Sequence, residues 1–145
     1  MNMHRHKGEY SKKHKGQRKL NEKIVKALRE KEKDGEIPCA VAHQIAKELD
    51  VSPEEVGYTM DMLEIAIVKC QLGLFGYKPE KKIVKPAEKI SEELKKEIEA
   101  ELEDGKLSCK KAWEIAKRLG IGKMEVSSAC EAMGIKIKEC QLGAF

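Results

Sequence analysis

The side chains with most chemical potential are five cysteines and four histidines. Cys39 and His43 stand four apart, a spacing that puts a thiol and an imidazole on one helical face, where they could form a nucleophilic pair. The same position seventy residues later is Trp113, so it is read as packing. Cys70 and Cys140 each open the sequence Cys-Gln-Leu-Gly-x-Phe. Strict alternation along Ile135-Lys136-Ile137-Lys138 would turn Cys140 outward beside Lys138, and an exposed thiol near a cation is the reactive kind. One thiol per copy supplies too few ligands for a closed zinc site. His4, His6 and His14 are irregularly spaced. Cys70 and Cys140 are thus a minor candidate site for a thiol-based redox or metal sensor, and the motif is read as structural, its glycine making a tight turn while Leu and Phe seal the fold. Cys39, Cys109 and Cys130 fall on inward faces as small hydrophobes. There is no CxxC pair, glycine-rich phosphate loop, GxSxG or HExxH. The expectation is a protein without catalysis, cofactor or resident metal.

Residues 34–75 recur without a gap at 104–145, with seventeen of forty-two positions identical. The period exceeds those of solenoids, so each copy is read as a small folding unit of a tandem pair. The expected organisation is a flexible basic arm at 1–19, one repeat at 20–76, a linker at 77–89 and a second repeat at 90–145.

Charge separates the copies more sharply than the total of +4 implies. Residues 1–33 carry +8, 34–76 carry −6, 91–104 carry −5 and 105–145 carry +4. No apolar run reaches the ~20 residues of a membrane span and no apolar leader is evident. The expectation is a cytoplasmic protein with reduced thiols and no membrane partner.

Apolar spacing supplies the elements. Leu20, Ile24 and Leu28, and later Ile90, Leu94, Ile98 and Leu102, make i+4 stripes of a first helix in each copy. Asp34–Gly35 and Asp104–Gly105 are expected to stop it as left-handed caps. A short extended piece precedes a second helix, about Cys39 to Leu49. Ser52-Pro53-Glu54-Glu55 then reads as N-cap, first-turn proline and capping-box Glu of a third. It buries Val56, Met60 and Leu63, and its copy Val126, Cys130 and Met133. The period changes from 3.6 to 2 at Ile135-Lys136-Ile137-Lys138, a strand. The predicted fold is mainly α: two three-helix lobes, each with a minimal strand pair.

Ala116, Gly120 and Val126 stand at the offsets of a helix–turn–helix motif: a small residue at the helix contact, a left-handed turn residue, and a branched apolar residue on the second helix. Ala46, Asp50 and Val56 repeat the pattern. With the extended segment and following strand, each copy resembles the winged helix–turn–helix domains, although little or no wing remains. The resemblance implies a nucleic-acid partner, duplex DNA, contacted by the third helix, and a regulatory role. In copy one the outward residues of that helix are Glu54, Tyr58, Asp61 and Met62, unsuited to phosphates. Tyr58 and Met62 are instead expected at a homodimer or protein interface. In copy two the outward set is Met124, Ser128, Glu131 and Ala132, with Ser127 flanking. Ser127 and Ser128, ringed by Lys106, Lys110, Lys111 and Lys123, are the expected contacts. Arg5, Lys7, Lys12, Lys13, Lys15, Arg18 and Lys19 of the arm would add phosphate contacts. The alternative is a protein-interaction adaptor with no nucleic-acid role.

Overall fold

The computed structural model describes residues 20–78 and 81–145. Among them the fold is mainly helical, with six helices and four three-residue strands in two sheets. The chain divides into two compact units whose boundaries differ from those of the repeats. The first joins residues 20–70 to Gln141–Ala144, and the second joins Gln71–Cys140 to Phe145.

In the first unit α1 (Glu22–Lys31) starts where the Asn21 side chain accepts from the backbone N–H of Lys23 and Ile24. It buries Ile24 and Leu28. Asp34 and Gly35 do not cap it, because the helix ends earlier, with Glu32 already extended. Both adopt positive φ (52° and 74°), and Lys33 and Glu36 bridge across them. Two consecutive positive-φ residues of the type Asp-Gly form the tight reversal of a hairpin. That turn delivers β1 (Glu36–Pro38), whose terminal proline leads directly into α2 (Cys39–Leu49).

Asp50 ends α2 in the left-handed conformation. Ser52 then caps α3 (Pro53–Met62), accepting from Glu55 N–H at 3.1 Å, with Pro53 in the first turn as the sequence indicates. The last strand, β2 (Ala66–Val68), pairs in parallel with β1, Ile37 opposite Ile67. A core of Ile24, Leu28, Ile37, Ile45, Val56 and Met60 lies between the helices and the sheet. Leu63, expected inside, is half-buried.

The second unit repeats this plan with α4 (Glu92–Ala100), β3 (Lys106–Ser108), α5 (Cys109–Leu119), α6 (Lys123–Met133) and β4 (Lys136–Lys138), β3 and β4 again parallel. Gly120 takes the left-handed position that Asp50 holds in the first. Met133, like Leu63, is half-buried.

The motif Cys-Gln-Leu-Gly-x-Phe closes each repeat with a turn, Gly73 and Gly143 both at positive φ (74° and 81°). Leu72 and Leu142 are buried. Gln71 to Phe75 of copy one belong to the second unit, and Gln141–Ala144 of copy two to the first. Phe75 and Phe145 meet edge to face at 6.2 Å within the second unit. The structural reading of the motif therefore has a concrete form, although its leucines do not seal their own repeats.

Candidate functional site

β3 and β4 hold an arrangement that copy one lacks. Their register sets Lys106 beside Lys136, both exposed. Neighbouring strands lie about 4.8 Å apart, so two ammonium groups start from adjacent positions on one face of the sheet. Like charges in such pairs destabilise a sheet. The same positions in copy one are Glu36 and Ala66. Lys110, exposed in the first turn of α5, replaces Ala40. Among the described residues Lys106, Lys110 and Lys136 form no ion pair.

Four other cations of copy two are already engaged. Lys111 Nζ lies 3.0 Å from Glu101, and Arg118 Nε 2.8 Å from Glu97. The hydrogen bond and charge of Glu101 hold the Lys111 ammonium above its ordinary pKa. Lys138 lies 3.5 Å from Glu139 and 3.9 Å from Glu103. Lys123 sits over the Trp113 ring, 4.5 Å from its centroid, a cation–π contact. Much of the positive charge of residues 105–145 is thus met by the acids of 91–104. Linear charge counts miss this because they do not know which segments fold together.

The face of α6 read as outward is partly covered. A Cβ added to Gly73 would lie 3.1 Å from both Met124 Sδ and Val84 Cβ. Gly73 O accepts from Ile83 N–H and Val84 N–H, Ala87 N–H donates to Ser128 O at 3.0 Å, and Lys82 pairs with Glu131. Residues 124, 128 and 131 are one stripe of a helix, and Gly73 with residues 82–87 lies against it. Residues 82–87 of the stretch expected as a linker are therefore a strap. Met124, Ser128 and Glu131 are half-buried, Ala132 stays exposed, and Ser127 is buried with its Oγ unpartnered among the described residues.

Copy one shows the parallel correction. Tyr58 and Asp61, read as outward, are 8% and 3% exposed, while Glu54 is exposed and Met62 half-buried. Gly57 explains part of this, because the Leu142 backbone lies where its side chain would be. A surface interface anchored on Tyr58 does not fit that burial. The signal for it was present in the sequence: glycine inside a helix costs about 1 kcal/mol relative to alanine, and a close backbone approach accounts for one.

Cys39, Cys109 and Cys130 are buried as expected, whereas Cys140 is not turned fully outward. Lys69 and Glu139 adopt positive φ (51° and 52°), which breaks the strand alternation just before each motif cysteine. Cys70 is buried and Cys140 only half-buried. No cluster of three or more His, Cys, Asp or Glu residues able to hold a metal occurs among the described residues. Arg5, Lys7, Lys12, Lys13, Lys15, Arg18 and Lys19, with His4, His6 and His14, lie outside the described residues. No helix among the described residues is long and apolar enough to cross a membrane. No protein-family model, curated protein or solved structure matches this chain.

Proposed function

We propose that this chain is a non-catalytic, cytoplasmic nucleic-acid-binding protein of helix–turn–helix type, with duplex DNA as its partner and regulation as its role. The observation that carries the reading is the Lys106–Lys136 pair, two exposed like charges in strand register where the other repeat has Glu36 and Ala66. Such a pair is unfavourable alone and becomes favourable when a polyanion neutralises it. The seven basic residues of 1–19 would add to the same interaction. Fluorescence anisotropy with a labelled duplex tests the proposal. Binding should weaken steeply between about 50 and 200 mM salt, and Lys106→Glu with Lys136→Glu should weaken it further. No binding at low salt would overturn it.

A protein-interaction adaptor is the second reading, favoured by the strap over α6, which occupies the face a DNA-reading helix would use. That reading follows if duplex binding is absent.

A further inference from the structure

Resting on the nucleic-acid reading, we infer that the duplex is held through its phosphates by Lys106, Lys110 and Lys136, and that α6 does not read bases. The protein would then bind DNA independently of sequence.

The first support is steric. A recognition helix reaches base edges by laying one stripe of side chains into the major groove, which is about 12 Å wide. A helix with its side chains is about 10–12 Å across and fills that width. In the second unit the stripe at 124, 128 and 131 carries a further layer of chain: Gly73 against Met124, Ala87 bonded to Ser128, and Lys82 paired with Glu131. A second backbone adds about 5 Å, and the combined width exceeds the groove. The strap is not a loose cover, since Leu72 and Val84 are 0% and 6% exposed. Removing it would uncover core.

The second support is chemical. Base reading relies on bidentate donors and acceptors such as Arg, Asn and Gln. The stripe offers Met124, Ser128 and Glu131, and the exposed residue beside it is Ala132. Among the described residues the sheet and the first turn of α5 instead present three exposed lysines without an ion pair, Lys106, Lys110 and Lys136. Lysine is a mobile point charge suited to phosphate oxygens, without the planar fork that specifies a base. Phosphate contacts position a protein on DNA but carry no sequence information themselves.

The test combines a salt series with a sequence survey on the full chain. Lys106→Gln, Lys110→Gln and Lys136→Gln together remove three phosphate contacts. The slope of log K against log salt should fall by about 2.7, and affinity near 0.1 M salt by on the order of 10²-fold. Circular dichroism must match wild type. Unrelated duplexes of equal length should bind within about twofold, and selection from a random duplex pool should yield no consensus. Enrichment of a consensus, or a tenfold preference for one duplex, would overturn the inference while leaving the nucleic-acid reading standing. An unchanged slope in the triple variant would also overturn it. Absence of binding to any duplex at low salt would remove both.

Discussion

The carbonyl oxygen of Leu142 lies 1.8 Å from the point where a Cβ on Gly57 would stand. A side chain of any kind at 57 therefore displaces the backbone of residues 141–144 or the axis of α3. Alanine is the better helix former by about 1 kcal/mol, yet Gly57→Ala should destabilise by about 1–3 kcal/mol, the range for overpacking. Urea denaturation gives the sign. Faster amide exchange confined to 141–144 would identify the displaced segment, and a stabilised variant would contradict the close approach.

Two left-handed positions are filled differently in the two repeats. Asp50 and Glu64 have φ of 54° and 60°, while their counterparts Gly120 and Gly134 have 66° and 69°. Non-glycine residues are strained there. Glu64→Gly should raise stability by roughly 1 kcal/mol, and Asp50→Gly by less, because aspartate tolerates the conformation better. Thermal unfolding measures both. The reciprocal Gly134→Glu should lower the Tm.

Ser127 is 1% exposed, and its hydroxyl has no partner among the described residues. A buried polar group without a hydrogen bond costs about 1–3 kcal/mol. Ser127→Ala should leave stability unchanged or raise it by about 1 kcal/mol. A clear loss in chemical denaturation would mean that the hydroxyl is satisfied.

Burial, with the Glu131 charge adding to it, pushes the Cys130 thiol from an ordinary 9.0 up to about 12. The native state therefore holds this proton more tightly than the unfolded chain. Below pH 9.0 both states keep it, and no contribution varies. Between 9.0 and about 12 the unfolded chain releases it while the native protein does not, so stability falls as pH rises through that window. Relative to wild type, Cys130→Ala should lose stability at pH 7 through its cavity but decline less steeply above pH 9.0. Parallel curves would exclude the effect.

Much of the fold was legible because local chemistry marks local structure. Ser52 and Pro53 announced α3, and the Cys39-to-Leu49 stripe gave α2 at its observed limits. The switch to a two-residue period near Ile135 marked β4, whereas the pairing of parallel strands carries no local signature. The candidate site was less legible. Periodicity assigns one inward face to a helix from its own neighbours in sequence. It cannot register that residues 82–87 lie against the opposite face of α6, or that Tyr58 and Asp61 are buried. Likewise, Lys111 counted toward a basic surface until α4 supplied Glu101.

Because the first unit includes Gln141–Ala144, its assembly depends on the order in which the chain is made. At about 5–20 residues per second, Leu142 leaves the ribosome several seconds after Gly57. Until then the nascent first unit lacks the segment that approaches α3. A polypeptide halted anywhere between residues 70 and 140 carries every described helix of that unit and still cannot finish it. Completion of the first half is thereby made conditional on synthesis of the second, so truncated products would be left open to proteolysis.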